Sequence, residues 1–303
     1  VPKPGRRKEQ RQKVQQNPQK FRPLPEKLAS FFEHPGSGFN FGLHFNKGLY
    51  AYWNTQKGLR FPMYQFQAQK EAREVLDTYH KIRPNLEGLL ERKNQEMEAL
   101  CQAFRASGYE VWANTYILKA PLIIGLGNAH PMERGFTFHR TLGIPYIPAE
   151  SIKGVVRLVY LVEKAQEDPN FFENWAREDN LFWNELSKPF GRMEKEGKSA
   201  QRGKVVFLDA LPIEPPELTL EIITCHYPEY YEERRGPTED QHPRPLPFLA
   251  VAPGSKFRFI LLIHEDLEEE FRKRVREAFE AALTEHGFGA KTALGHGRFN
   301  KNV

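Results

Sequence analysis

Four glycines fall within the eleven residues Gly287-Phe288-Gly289-Ala290-Lys291-Thr292-Ala293-Leu294-Gly295-His296-Gly297, and that density confines this part of the chain to irregular backbone. Glycine adopts positive φ without steric cost and lets another group approach the main chain where a Cβ would otherwise stand. Successive amides in such a stretch can converge on a phosphate, with Lys291 adding charge. The common nucleotide loops do not fit. A P-loop needs glycine directly before its Lys-Ser/Thr pair, where this chain has Ala290, and a dinucleotide fingerprint needs glycine where Thr292 stands. Two possibilities remain: an anion-holding loop between a helix and a last strand over 298–300, or a plain glycine-rich connection.

The preceding sequence frames that loop. Val111, Ala113, Thr115 and Ile117 alternate with Trp112, Asn114, Tyr116 and Leu118, a strand pattern that ends at Pro121. A loop rich in Gly, Pro and His spans 123–148. Ser151 then stands where it can cap a helix whose Ile152, Val155, Val156, Val159 and Val162 form a buried face. Strands are predicted over 205–209, 218–224 and 256–264. A helix is predicted over 267–285, with Leu267, Phe271, Val275, Ala278 and Ala282 on one side. The order strand, helix, strands, helix, loop, strand suits an α+β domain with helices on one face of an antiparallel sheet, as in a ferredoxin-like (RRM-like) fold. Five prolines between 225 and 247 exclude a central strand or a helix there, so a long projecting insertion is expected.

Upstream, 64–104 is predicted as two helices broken at Pro84, with Leu86, Leu89, Leu90, Met97 and Leu100 at helical spacing. The aromatic, glycine-rich stretch 31–62 suggests irregular structure packed on a surface. Residues 1–22 carry eight basic residues against Glu9 alone, which leaves 36 basic and 38 acidic residues in the remainder. The basic character is therefore concentrated in an arm with the composition of a flexible segment. Such an arm can touch nucleic acid or simply solubilise the chain. The expected organisation is a basic flexible arm over 1–30, an irregular and helical extension over 31–108 packed on the core, and a core domain over 109–303. No apolar run in the sequence reaches membrane-spanning length, so a cytoplasmic location is the default expectation. Cys101 and Cys225 form no CxxC pair, which argues against a zinc knuckle and gives no disulfide framework.

The segments GFGAKTALGHG (287–297) and GIPYIPAESIKGVVR (143–157) resemble, in the same order, two hallmark motifs of the RAMP superfamily of CRISPR-associated RNA-binding proteins. GLGNAHPMERGFTFH (125–139), VVFLDALP (205–212), HYPEYY (226–231) and PLPFLAVAPGSKFRF (245–259) are similar to the sixth-subunit family of type III-B (Cmr) effector complexes. The resemblance covers roughly 110–300. It departs from the family at Ala149-Glu150, where small residues are usual, and Glu150 places negative charge near the presumed phosphate site.

This resemblance implies a non-catalytic backbone subunit that binds CRISPR RNA in an RNA-targeting complex for antiviral defence. Implied partners are CRISPR RNA, possible target RNA, the repeating backbone subunit and the small helical subunit, with no cofactor or metal. Candidate RNA-binding residues are Ser151, Lys153, Gly154 and Arg157 at the helix start, and Gly287, Gly289, Lys291, Thr292, Gly295, His296 and Gly297 in the loop. The insertion, with Tyr227, Tyr230, Tyr231, Arg234, Arg235 and Arg244, offers stacking platforms and charge for RNA or a neighbouring subunit; the alternative is an insertion folded back with its tyrosines as packing. The competing function is a RAMP-type endoribonuclease that processes repeat RNA by acid-base chemistry. Its candidate groups are Glu133 and His130, with His139 nearby.

Overall fold

The computed structural model describes residues 20–33, 36, 38–54, 58–60, 65–168, 170–171, 179–192, 199–231 and 233–301. The N-terminal part contains β1 (Lys20–Phe21), α1 (Glu26–Phe31), α2 (Phe41–Lys47), β2 (Ala51–Asn54), β3 (Gly58–Arg60), α3 (Gln65–Ile82) and α4 (Glu87–Ala106). Then follow β4 (Tyr109–Leu118), α5 (Ala149–Glu167), α6 (Asp179–Phe190), β5 (Gly191–Arg192), β6 (Gln201–Arg202), β7 (Val205–Phe207) and β8 (Leu211–Pro212). The remainder is β9 (Leu218–Cys225), α7 (Pro228–Tyr231), β10 (Arg244–Val251), β11 (Lys256–His264), α8 (Glu269–Ala281) and β12 (Phe299–Lys301).

The chain is an α+β structure built around an antiparallel sheet in the order β12-β4-β11-β7, with β8 also paired to β11. Alternation along the strands divides the two faces of this sheet. Trp112 meets Phe279 edge-on at 4.8 Å, and the Tyr116 hydroxyl donates to Glu280 at 2.8 Å, so α8 covers that side. Phe257, Phe259, Leu261 and Ile263 join the same core. The opposite face is not open. Ile260 and Leu262 pack with Cys101, Met97, Phe104, Val111 and Ala113, and Arg258 pairs with Glu98, so α4 lies across it. The expectation of helices on one face is corrected here, because an amphipathic helix from the N-terminal extension has its own apolar stripe to bury.

Other expectations also need adjustment. The break at Pro84 is a short 3-10 turn, Arg83–Leu86, between α3 and α4. Residues 41–47, expected to be irregular, form α2, with Asn40 Oδ1 accepting the Leu43 N–H at 2.8 Å as a cap. Val162 is exposed, and Tyr160 takes its place in the buried face of α5. Most of the predicted arm, 1–19, lies outside the described residues. Arg22, counted with the arm, is instead anchored: its Nε donates to the Gly48 carbonyl at 2.8 Å, and its guanidinium lies 3.9 Å from the Tyr50 ring centroid.

The proline-rich insertion is the tip of a ribbon. β9 and β10 pair antiparallel over their full length, and Pro245 and Pro247 lie within β10 opposite Thr224 and Ile222. Prolines two residues apart direct their donor-less nitrogens to the same outer edge, which a two-stranded ribbon tolerates and a central strand does not. One ribbon face contributes Leu218, Leu249 and Val251 to the main core, and the ribbon packs against α3. The other face contributes Phe248 and Ala250, which cluster with Ile123 and Ala290. Thus the ribbon stands between the N-terminal extension and the glycine loop.

Candidate nucleic-acid interface

Topology brings both sequence motifs to one end of the sheet. β4 finishes there, and the Ala290 N–H donates to the Ile123 carbonyl at 2.8 Å, while that of Gly297 donates to the Pro121 carbonyl at 3.0 Å. At the same end, Ile147 and Ala210 exchange backbone hydrogen bonds immediately before α5 begins.

The glycines of 287–297 all have positive φ, between 69° and 89°, yet most of them serve the protein itself. A Cβ at Gly287 would lie 2.6 Å from the His296 carbonyl oxygen, and one at Gly289 or Gly297 would overlap the carbonyl of Ile123 or Phe288. Only at Gly295 is the space open. Nor do the amides form one continuous cradle: those of Gly287, Phe288, Ala290, Leu294, Gly295 and Gly297 are spent on carbonyls of this chain. Three consecutive amides, of Lys291, Thr292 and Ala293, find no protein acceptor among the described residues. Lys291 is left-handed, φ 60°, and opens a 3-10 turn Thr292–Leu294. Its Nζ lies 5.0 Å from the Phe248 ring centroid, and His296 Nε2 lies 3.9 Å from Glu221 Oε2. Phe288, fully buried and stacked on Phe259 at 5.8 Å, pins the loop to the core.

The start of α5 differs from expectation. Ser151 is not its cap: the helix begins at Ala149 after Pro148, with no side chain of a capping residue bonded. The Ser151 and Ile152 amides reach the Pro148 carbonyl at 3.0 and 3.1 Å. The Ala149 amide donates to Asp209 Oδ1 at 2.7 Å, so a carboxylate from beyond β7 occupies the position a phosphate would take. With Glu150 also in the first turn, the positive end of the helix is already answered by two acids. Lys153 and Arg157, one turn apart, are half-buried, and burial together with the Arg157 charge holds the Lys153 ammonium below the usual lysine range. Gly154 is exposed, with open space where a Cβ would be.

The loop before α5 is braced by α2. Asn40 donates to the carbonyls of Arg140 and Thr141 at 3.0 and 3.1 Å, and a Cβ at Gly143, φ 66°, would lie 2.6 Å from Asn40 Oδ1. His130 is buried and stacked on Phe45 at 4.4 Å. Its Nδ1 accepts the Met132 N–H at 3.2 Å, so its Nε2 donates to the Phe45 carbonyl at 3.0 Å. Burial depresses its pKa, and a neutral imidazole with both nitrogens engaged has no free position for proton transfer. In this structure His130 therefore packs on Phe45 and ties the loop to α2 through the Phe45 carbonyl. Glu133 is exposed in a left-handed conformation, φ 57°. His139 Nδ1 faces the Thr141 hydroxyl at 3.2 Å and the Leu142 N–H at 3.3 Å, and burial lowers its pKa. Among the described residues there is no group of three or more His, Cys, Asp or Glu arranged to hold a metal ion. No described helix is long and apolar enough to cross a membrane.

At the ribbon tip, Tyr230 and Tyr231 are exposed and meet edge-on at 5.5 Å. The tip is held by its own bonds, with Arg235 on Asp240 at 2.7 Å and Gln241 Nε2 on the Gly236 carbonyl at 2.7 Å. Arg235 is therefore committed within the tip. Asp209, Asn40, Glu221 and Phe248 escaped the sequence reading. Asp209 follows an apolar strand by two residues, which is its only local signal; the partners of the other three are fixed by tertiary packing.

The RAMP superfamily model matches residues 115–300. This chain belongs to the RAMP superfamily. It is 29% identical over 223 residues to the CRISPR system Cmr subunit Cmr6 of Pyrococcus furiosus, covering 60% of this chain and 65% of that protein. It is 28% identical over 169 residues to the Cmr6 of Saccharolobus solfataricus, covering 55% and 48%. The chain thus spans just under two thirds and about half of these relatives' lengths. A chain in the cryo-EM structure of the type III-B Cmr-β complex bound to cognate target RNA has a similar fold, with TM-score 0.56 and 24% identity over 78% of this chain and 72% of that one. The family match covers both motif segments, the Gly143–Arg157 region and the glycine loop, within one RAMP unit.

Proposed function

We propose that this RAMP protein is a non-catalytic subunit of a type III-B (Cmr) effector complex that holds CRISPR RNA by its backbone. The observation that carries this reading is the trio of unspent amides at Lys291, Thr292 and Ala293, beside a lysine side chain and the open Gly295. Amides and a point charge recognise phosphate and ignore base identity, as a subunit serving many guides requires. Lys153 and Arg157, at the same end of the sheet, extend the basic track. The exposed Tyr230–Tyr231 pair is a stacking platform for RNA or a neighbouring subunit. The strand order β12-β4-β11-β7, with α5 and α8 as the crossovers, supports a ferredoxin-like core over 109–303. Residues 31–108 act as an extension packed on it, and the repeating backbone subunit and the small helical subunit are its expected neighbours.

Because α4 occupies the sheet face, base stacking on that face is excluded over the part α4 covers, and RNA is assigned to the loops at the sheet end. The occupied ring of His130 supports the non-catalytic role over repeat-RNA processing. The test is binding of CRISPR RNA by the full chain across a salt series, with an aliquot held in EDTA and examined for cleavage. Steeply salt-dependent binding without cleavage is expected. Site-specific cleavage of repeat RNA in EDTA would overturn the non-catalytic assignment.

A further inference from the structure

A glycine-rich loop cannot by itself fix long side chains, so Lys291 and His296 need support from elsewhere. The ribbon provides it at a single rung. Glu221 and Phe248 are direct cross-strand partners in the β9–β10 ladder. Phe248 lies under the Lys291 ammonium, 5.0 Å from ring centroid to Nζ, and Glu221 Oε2 stands 3.9 Å from His296 Nε2. Phe248 is only 3% exposed and is clustered with Ile123 and Ala250, so its ring is a fixed platform. A cation over an aromatic face is attracted by the ring quadrupole. A lysine already held there also has less rotamer freedom to lose when it meets a phosphate. Glu221 acts in the other direction, because its carboxylate repels a polyanion from the ribbon side of the loop.

We propose that Glu221 and Phe248 are positioning residues for the glycine loop: Phe248 places the Lys291 ammonium for phosphate, and Glu221 confines the RNA to the side where the Lys291, Thr292 and Ala293 amides are free. The ribbon is then part of the RNA site, coupled to the loop through one rung. This rests on the RNA-binding reading of the loop.

The experiment measures binding of a labelled single-stranded RNA of mixed sequence to the full chain and to Lys291→Ala, Phe248→Leu, Phe248→Tyr, Glu221→Gln and the Lys291→Ala/Phe248→Leu double variant. Phe248→Leu is expected to weaken binding about threefold to tenfold, the cost of immobilising one long side chain that is no longer held beforehand, and Phe248→Tyr to retain wild-type affinity. The double variant is expected to bind no worse than Lys291→Ala, since the platform has no role without the lysine. Glu221→Gln is expected to tighten binding. A merely structural Phe248 would lower thermal stability while its effect on affinity added in full to that of Lys291→Ala. That additivity, or weakening by Phe248→Tyr, overturns the Phe248 assignment, and an unchanged Glu221→Gln overturns the Glu221 one. Phe248→Tyr and Glu221→Gln keep the test decisive if Phe248→Leu does not fold. If Lys291→Ala itself binds like wild type, the RNA reading of the loop fails; if Lys291→Ala weakens binding and Phe248→Leu does not, only the positioning inference fails.

Discussion

The start of α5 and the glycine loop carry similar sequence signals, but they differ in how their backbone amides and nearby charges are arranged. At α5, the Ala149 amide is bound to Asp209, and the Ser151 and Ile152 amides return to Pro148. In the loop, the Lys291, Thr292 and Ala293 amides remain available. A helix start or a run of glycines therefore marks a possible anion site, and the neighbouring chain decides whether it is already filled. Glycine has different reasons in the two places as well. Gly297 is required by the carbonyl of Phe288, whereas Gly154 faces open space on a helix.

The largest expected effect separates those two glycines. Gly297→Ala forces a Cβ into the Phe288 carbonyl at φ 69° and should cost roughly 3 kcal/mol, read as a large fall in melting temperature. A comparable cost is expected from acid in the region that braces α5. His44 in α2 is buried, and desolvation, aided by Arg22, lowers its pKa from 6.5 to about 4. The unfolded chain takes up that proton first, so the stability is complete above pH 6.5 and is lost as pH falls toward 4, by roughly 3 kcal/mol. His130 and His139, whose pKa values are also lowered, add to the same slope. Melting curves from pH 7.5 downward should show it, and His44→Phe, set among Phe32, Phe39 and Phe41, should flatten it.

Asp209→Ala leaves the first amide of α5 without its acceptor and should cost about 1–2 kcal/mol, a typical capping loss. Under the proposed function it should not weaken RNA binding; a loss of affinity in a folded Asp209→Ala protein would erase the distinction drawn between the two regions. The smallest effect is a gain. Gly154→Ala should stabilise the protein by about 0.5–1 kcal/mol, because the position is helical and open. A destabilised Gly154→Ala would mean that this glycine is under a constraint unlike the one described.

Where local pattern determines structure, the sequence was legible. The period-two alternation of 111–118 became β4, which starts two residues earlier at Tyr109, and 256–264 became β11 with the same bounds. It was less legible where a distant residue decides. α4 has an ordinary apolar stripe, and nothing in it says that Cys101 and Met97 meet Ile260 across the sheet. The prolines of 225–247 argued against a central strand or a helix; an edge ribbon accepts Pro245 and Pro247 because their nitrogens face outward, and the one-turn α7 (Pro228–Tyr231) corrects the helix exclusion by starting on Pro228 itself. Ser151 looked like a cap from its position in the motif, but the helix opens two residues earlier and takes its carboxylate from Asp209. The family resemblance located both motifs, and the three-dimensional structure adds that a carboxylate, Asp209, stands on the first amide of one while three consecutive amides of the other have no acceptor among the described residues.

The most direct measurement is the salt dependence of CRISPR RNA binding by the wild-type chain and by Lys291→Ala. If the loop holds the RNA backbone, Lys291→Ala should bind about tenfold more weakly at low salt, and its log–log salt slope should be shallower by about one. Equal affinity and an unchanged slope would contradict the account, since the lysine beside the free amides would then make no contact with phosphate.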